Sequence, residues 1–329
     1  MKKYHFRVCV LVALTGIFAS LPSGAQQEKP NIILIMADDL GYETLQCNGG
    51  SSYSTPRLDA MAQAGMRFEH CYANPLCTPS RVQLMTGKYN FRNYIGFGLL
   101  DPAERTFAHL LKEAGYVTGI TGKWQLLGLE SEQKEAGNRR GSYPVEAGFD
   151  EYCLWQVDQR LSRYKDPVIR RTGGESQPSP AQYGPDIFSG FAREFMTKHR
   201  DTTFFLYYPM VLVHNPFQPV SGSKGYAETD IKTADDTARF ADMVSYMDRI
   251  VGGILDKVKE LGISRNTLVL FIGDNGTNQK IFSIHNGKRV QGGKSTFTQY
   301  GTHVPMIAHW EGIIRPGQVN TNLVDFTDF

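Results

Sequence analysis

NIILIMADDLGY, residues 31–42, is the stretch that decides the fold of this chain of 329 residues. Its first six residues are mostly β-branched or apolar, without the alternation of a half-buried strand. Such a run is typical of a strand that is buried on both faces, as in a parallel sheet. The run breaks at Asp38, Asp39 and Gly41, so we expect two carboxylates just past the strand's carboxyl end.

Helical and strand patterns alternate along the rest of the chain. In TPRLDAMAQAGMRF, Leu58, Met61 and Ala62 have helical spacing, and we expect Gly65 to end this helix as a left-handed C-cap. Further helices are predicted at 103–114, 186–199 and 235–261, and strands at 116–121, 203–213, 267–272 and from 304 onward. Two stretches rich in Gly, Ser, Pro and charge, 130–141 and 166–182, are predicted to be loops that border the site. The alternation predicts an α/β fold, with a mostly parallel central sheet flanked by helices on both faces.

The charge balance and the amino terminus limit the partners. Lys plus Arg number 35 against 33 Asp plus Glu, which gives no reason to expect nucleic acid or a membrane surface as partner.

At the amino terminus, basic residues precede an apolar run at 8–21, which is followed by Ser23-Gly24-Ala25. We interpret residues 1–25 as a secretory signal peptide, which leaves 26–329 as an exported protein, periplasmic or secreted. A membrane anchor is the alternative, but the run is shorter than the ~20 residues of a spanning helix.

Polar side chains follow the ends of four predicted strands. Ligands in open α/β sheets bind beyond the carboxyl ends of the strands. The residues at these ends are Asp38 and Asp39, Lys123, His214, and Asp274 with Asn275. The aspartates and the asparagine offer only oxygen ligands, and crowded carboxylates repel one another without a cation, which indicates Ca²⁺ or Mg²⁺ rather than zinc. The alternative is that each aspartate only caps a helix or forms a turn.

LCTPSRVQLMTGKY, residues 76–89, places a cysteine at a predicted helix start. Thr78 suits the N-cap and Pro79 the first turn, so Cys77 would lie at the positive end of a helix, where an anion is stabilised. From helix position alone, a buried thiol or a disulfide with Cys71 is preferred. The cysteines after the leader, Cys47, Cys71, Cys77 and Cys153, match no zinc pattern.

The residues Cys77-Thr78-Pro79-Ser80-Arg81, followed by MTGKY, resemble the signature of the type I sulfatases, in which the cysteine of C-x-P-S-R is oxidised to formylglycine. NIILIMADDLGY, GITGKW, HNPF, FIGDNG and GGKSTFTQYGTHVP also occur in the family's order, so the resemblance runs from about Pro30 to the end. It implies the arylsulfatase-like fold of the alkaline phosphatase superfamily. It also implies a sulfuric ester hydrolase that acts on a sulfated carbohydrate or an aryl sulfate, with 26–329 as its N-terminal catalytic domain.

The resemblance also implies a role for each site residue. Asp38, Asp39, Asp274, Asn275 and the modified Cys77 would hold Ca²⁺ (or Mg²⁺). Arg81 would steady the modified side chain, and Lys123, His214 and Lys294 would bind the sulfate and the leaving oxygen. One hydroxyl of the hydrated aldehyde would attack sulfur, and the other would expel sulfate as the carbonyl re-forms. A formylglycine-generating or sulfatase-maturating enzyme is the implied partner.

The sequence departs from the family in three places. Gln125 stands where the family often has histidine, and it can hydrogen-bond a substrate but cannot accept a proton. Gln299-Tyr300 and His303 replace an acidic residue, glycine and arginine, which affects the substrate rim, where we place Gln125 and His303. The C-terminal subdomain of the relatives is largely missing after LVDFTDF. Two other functions stay open: a phosphonate or phosphate ester hydrolase of the same superfamily, and a non-catalytic binder of sulfated glycans.

Overall fold

A ten-stranded sheet organises the computed structural model, which describes residues 29–230 and 233–329. The predicted signal peptide, 1–25, therefore lies outside the described residues. The strands are β1 (Asn31–Ala37), β2 (Met66–Tyr72), β3 (Val117–Lys123), β4 (Glu151–Trp155), β5 (Val168–Arg171), β6 (Ser176–Pro178), β7 (Phe204–Pro209), β8 (Thr267–Gly273), β9 (Phe282–His285), β10 (Lys288–Gln291), β11 (His303–His309) and β12 (Gln318–Asp325). The helices are α1 (Pro56–Ala64), α2 (Cys77–Thr86), α3 (Phe107–Glu113), α4 (Glu130–Glu135), α5 (Gly184–Lys198), α6 (Phe240–Glu260) and α7 (Gln299–Thr302).

The strand order is β12-β2-β11-β8-β1-β7-β3-β4-β5-β6, and β9 and β10 form a separate hairpin. The five central strands, from β8 to β4, are mutually parallel, whereas β11 runs antiparallel to β8. Asn31–Ala37 pairs with Thr267–Gly273 residue by residue, so β1 and β8 end at the same level. The residues that follow these two strands therefore meet at one edge of the sheet.

Helices cover both faces of the sheet because the central strands are apolar on both sides. Ile33 and Ile35 of β1 pack with buried residues of α1, α5 and α6. Leu34 and Met36 point to the opposite face and pack with buried residues of α2 and α3. This confirms the predicted α/β class, with its mostly parallel sheet between two helical layers. No helix in the described part of the chain has both the length and the hydropathy that a membrane crossing requires.

Several predicted element bounds are wrong. The stretch 130–141 is not all loop, because its first turn and a half forms α4, and 166–182 holds β5 and β6 at the far edge of the sheet. The strand predicted at 203–213 ends at Pro209. The helix predicted from 235 begins at Phe240, because Asp235 accepts a hydrogen bond from the Phe217 amide and Asp236 caps a short turn before it.

Two residues that were expected to end or begin helices have other roles. Gly65 has a φ of −135°, so it is not a left-handed cap. A Cβ at this position would lie 2.2 Å from the Ala308 carbonyl oxygen, so the glycine permits a close approach between chain segments. Thr78 is not the N-cap of α2, which begins at Cys77, and its hydroxyl instead accepts a hydrogen bond from the Gly98 amide at 3.1 Å.

Candidate active site

Residues from four parallel strands meet at the carboxyl edge of the sheet. Asp38 directly follows β1 and Asp274 directly follows β8, while Lys123 is the last residue of β3 and His214 follows β7 by five residues. All except His214 are almost fully buried. The topology thus brings together charged groups that lie far apart in the sequence, as the strand-end rule predicts.

Asp38 is enclosed by positive charge. The Lys123 ammonium lies 3.0 and 2.9 Å from its two carboxylate oxygens, and the Arg163 guanidinium lies 3.4 Å from Oδ2. Burial alone would raise the pKa of Asp38, but Lys123 and the other nearby cations outweigh it and hold this pKa well below its ordinary value. Asp38 is therefore ionised at neutral pH.

Asp39 forms hydrogen bonds with residues that lie far from it in the sequence, after β8 and after β10. Its φ of 62° is a left-handed conformation, which an aspartate tolerates better than most residues. Its amide donates to Asp274 Oδ1 at 3.0 Å, and its own carboxylate accepts from Asn275 Nδ2 at 2.9 Å and from Lys294 Nζ at 2.7 Å. Burial would lower the pKa of Lys294, but the negative charge of Asp39 outweighs it and raises this pKa above its usual range.

The oxygen cluster fits a hard cation. Asp274 Oδ2 and Asn275 Oδ1 are buried, and among the described residues neither accepts a hydrogen bond. In the described part of the chain, the one cation that contacts Asp274 Oδ2 is Arg81, whose Nε lies 3.5 Å away, a distance too long for a strong hydrogen bond. Burial and the charge of Asp38 raise the pKa of Asp274 to about 8, so this carboxylate lacks compensating positive charge. Unpartnered buried acceptors of this kind suit Ca²⁺ or Mg²⁺.

His214 lies close to two of the aspartates, Asp38 and Asp39. One ligand atom each from Asp38, Asp39 and His214 lies within 4.8 Å of the others. The Nδ1 of His214 lies against the Asn215 carbonyl and its Nε2 lies 3.0 Å from the Lys294 ammonium. This pattern suits a neutral ring that donates from Nδ1 and accepts at Nε2. Burial lowers the pKa of His214 to about 3, which agrees with that state.

Cys77 lies beside this cluster as the first residue of α2, with its thiol buried. Its sulfur is 3.8 Å from Gln125 Oε1. The segment before Cys77 is hydrogen-bonded to the loop that carries Lys294, because the Ser295 amide donates to the Pro75 carbonyl at 2.9 Å. Arg81, one turn along α2, is buried and donates to the Lys123 carbonyl at 2.9 Å. The disulfide considered for Cys77 and Cys71 is not formed, since both are free thiols.

His303 makes no hydrogen bond or ion pair with Asp38, Asp39 or Asp274 among the described residues. Its ring stacks with Tyr42 and with Tyr72, at centroid distances of 4.0 and 5.0 Å, and its Nε2 donates to the Glu69 carbonyl at 2.8 Å. These contacts occupy the ring and one nitrogen. The substrate role predicted for His303 therefore stays a prediction.

Two residues at the site were missed by sequence reasoning, Arg163 and Tyr164. Both belong to the irregular segment between β4 and β5, where no periodic pattern or motif distinguishes them. Arg163 reaches Asp38, and the Tyr164 hydroxyl lies against the backbone carbonyls of Val211 and His214. The one available signal was position, because they follow β4, a strand parallel to β3.

Comparisons with known proteins identify the family and the fold of the chain. The family model described as Sulfatase matches residues 30–329. The chain is 33% identical to N-acetylgalactosamine-6-sulfatase of Mus musculus, over 97% of this chain and 64% of that protein. It is 32% identical to arylsulfatase A of Homo sapiens, over 92% of this chain and 63% of that protein. The fold is similar to the crystal structure of Ps i-CgsB in complex with k-i-k-neocarrahexaose, with a TM-score of 0.75 and 28% identity over 92% of this chain and 70% of that one. The chain thus spans less than two thirds of the length of these curated relatives.

Proposed function

Because this chain belongs to the sulfatase family, we propose that it hydrolyses sulfate esters, with Cys77 as the precursor of the nucleophile. The observation that carries the proposal is the position of Cys77. It is buried at the start of α2, its sulfur lies 3.8 Å from Gln125 Oε1, and Arg81 of the same helix lies 3.5 Å from Asp274 Oδ2. A sulfate ester is an anion, and this edge of the sheet concentrates positive charge.

The proposal assigns the oxygen cluster to Ca²⁺ (or Mg²⁺). Asp38, Asp39, Asp274 and Asn275 would hold the ion, together with the modified residue 77, and the ion would supply charge stabilisation to the sulfuryl oxygens. Formylglycine at position 77 would supply, as its hydrate, a nucleophilic hydroxyl and a way to release sulfate. The two unpartnered oxygens, Asp274 Oδ2 and Asn275 Oδ1, support the metal assignment.

The proposed roles of the other side chains follow from their contacts. Lys123 and Lys294 bring ammonium groups to the carboxylates that would hold the ion, so both are close enough to bind sulfate oxygens. Lys294 also lies 3.0 Å from neutral His214, and this pair holds one transferable proton for the departing alcohol. Gln125, next to Cys77, can orient a hydroxyl there but cannot accept its proton.

We propose a sulfated carbohydrate as substrate. Two similar proteins support this class, since the mouse relative is an N-acetylgalactosamine-6-sulfatase and the Ps i-CgsB structure contains a neocarrahexaose. Export of the chain, to the periplasm or the exterior, and oxidation of Cys77 by a formylglycine-generating or sulfatase-maturating enzyme belong to the same proposal. The basic, apolar and small-residue pattern of residues 1–25 supports export.

The test combines mass and activity on protein from the native host. We expect the tryptic peptide 68–81, which contains Cys77, to have the mass of an aldehyde, and the protein to hydrolyse an aryl sulfate faster than an aryl phosphonate. Cys77→Ala should abolish hydrolysis, while the control Cys47→Ala, at a half-buried thiol outside the cluster, should retain it.

Two results would contradict the proposal in different ways. Faster hydrolysis of the phosphonate would identify a phosphonate hydrolase. Binding of a sulfated glycan without turnover, by protein whose modification is confirmed, would identify a non-catalytic binder.

A further inference from the structure

Arg163 brings a positive charge to the acidic cluster from outside the strands that build it. It lies in the segment between β4 and β5, and its side chain is only 11% exposed. Its Nη1 is 3.4 Å from Asp38 Oδ2, and its guanidinium carbon is 4.2 Å from the ring centroid of Trp155, the buried last residue of β4. A guanidinium held over an indole face is fixed in position more firmly than a free surface arginine.

We propose that Arg163 is a substrate-binding residue that donates hydrogen bonds to the sulfate group on the Asp38 side of the site. This inference rests on the proposed function and extends it by one specific anion-binding side chain. The family signature does not include this position, and the structure alone points to it.

The contacts of Asp38 show that Arg163 is not required to neutralise it. Lys123 already contacts both oxygens of Asp38, at 3.0 and 2.9 Å. The Arg163 contact is longer, at 3.4 Å, and engages one of the five N–H donors of a guanidinium. The remaining donors have no hydrogen-bond partner among the described residues, and the side chain is not fully enclosed. Arg163 therefore has donors available at the open side of the cluster.

The charges of the cluster lead to the same conclusion. Asp38, Asp39 and Asp274 are three carboxylates, and the cations that lie against them from the strands, from α2 and from the loop after β10, Arg81, Lys123 and Lys294, match them in number. Arg163 therefore makes the site positive even before a divalent ion is counted, and excess positive charge in a mostly buried site favours an oxyanion ligand.

The other arginine at the site, Arg81, also has donors without a hydrogen-bond partner among the described residues, Nε and Nη2, but it is more deeply buried than Arg163. Arg81 is 1% exposed and donates to the Lys123 backbone carbonyl, so it supports the lysine from within the core. The Arg163 side chain contacts the Asp38 carboxylate and the Trp155 ring, and it donates to no backbone carbonyl in the described part of the chain. A planar guanidinium can offer two parallel N–H groups to two sulfate oxygens, which an ammonium cannot do.

The test compares Arg163→Ala, Arg163→Lys and the control Arg160→Ala, each loaded with Ca²⁺. Arg160 lies in the same segment, is 50% exposed and pairs with Glu132 at 2.8 Å, so it controls for loss of a nearby positive charge. The measurements are the calorimetric affinity for inorganic sulfate, kcat and KM for an aryl sulfate, the bound calcium and the Tm. We expect Arg163→Ala to weaken sulfate binding and raise KM about tenfold or more, with a smaller fall in kcat. Arg163→Lys should be intermediate, and Arg160→Ala should resemble the wild type.

Unchanged sulfate affinity in Arg163→Ala would overturn the proposal. So would a loss of bound calcium that parallels the loss of affinity, because Arg163 would then act through Asp38. If the wild type binds sulfate but hydrolyses no ester, the proposed function fails while the sulfate titration still decides the role of Arg163.

Discussion

Tyr164 is the residue that positions the backbone of His214. Its buried hydroxyl lies 2.9 Å from the Val211 carbonyl oxygen and also contacts the His214 carbonyl oxygen. Burial raises the pKa of Tyr164 well above its ordinary value, so the hydroxyl keeps its proton and acts as a donor. Because His214 contacts Lys294, the hydroxyl can influence the site without touching the substrate.

Tyr164→Phe should therefore impair the His214–Lys294 pair as well as stability. We expect a loss of about 1–3 kcal/mol in the free energy of unfolding, because a buried donor is removed and two carbonyls lose a partner. We also expect kcat to fall more than KM changes, since the proton-bearing pair is displaced. The measurements are urea unfolding and steady-state hydrolysis of an aryl sulfate.

Tyr208→Phe is the matched control. That hydroxyl is also buried but donates to the Pro185 carbonyl at 3.4 Å, away from His214. It should lose stability without a comparable fall in kcat. Equal effects of the two variants on kcat would show that Tyr164 has only a structural role.

Single residues at strand ends could be predicted because one rule covers them. Asp38 and Asp274 directly follow β1 and β8, so knowledge of the strands gives their positions. Arg163 and Tyr164 reach the site through an irregular segment whose path depends on tertiary contacts. Nothing in the local sequence encodes that path, and the sequence alone therefore could not assign them.

At the scale of elements, helix α1 begins where a neighbouring helix supplies its cap. Thr55 precedes α1 but makes no side-chain capping bond. Instead, Asp248 of α6 accepts from the Leu58 amide at 2.8 Å and from the Arg57 amide at 3.0 Å. A carboxylate at this position satisfies two otherwise unpaired amides and interacts favourably with the helix dipole.

Asp248→Ala should destabilise the protein through α1. We expect a loss of about 1–3 kcal/mol in the free energy of unfolding, since two first-turn amides lose their acceptor in a buried place. Glu260→Ala, at an exposed pair with Lys257 near the end of α6, should change it by less than about 0.5 kcal/mol. Chemical denaturation of both variants measures the difference, and equal effects would refute the capping role.

Elements with strong periodicity were predicted well, and those that depend on distant contacts were not. The apolar stripe of α6 and the continuous apolar runs of β1 and β8 fix these elements locally. By contrast, β5 and β6 form because they pair with β4 and with each other at the sheet edge. Their composition is that of a loop, and pairing partners distant in sequence decide their conformation.

At the scale of the whole molecule, the proposed metal site joins the segment after β1 to the segment after β8, which are distant in sequence. The backbone amide of Asp39 donates to the Asp274 carboxylate, 235 residues away in sequence. The side-chain amide of Asn275 donates to the Asp39 carboxylate, 236 residues away. These bonds lie where the two parallel strands β1 and β8 end side by side. A cation bound here would therefore stabilise the native topology and not only the local loops.

Removal of the ion should lower the stability of the entire protein. Without it, Asp274 Oδ2 and Asn275 Oδ1 lack a strong partner, and three buried carboxylates repel one another. An ion at 100 times its Kd contributes about 2.7 kcal/mol, so we expect EDTA to lower the Tm by several degrees and Ca²⁺ to restore it. Asp274→Asn keeps the size of the side chain but removes an ionised ligand, so its Tm should respond much less to either reagent. Calorimetry of both proteins measures the change in Tm on addition of EDTA and then Ca²⁺. A wild-type Tm that changes with neither reagent would contradict a metal at this edge of the sheet.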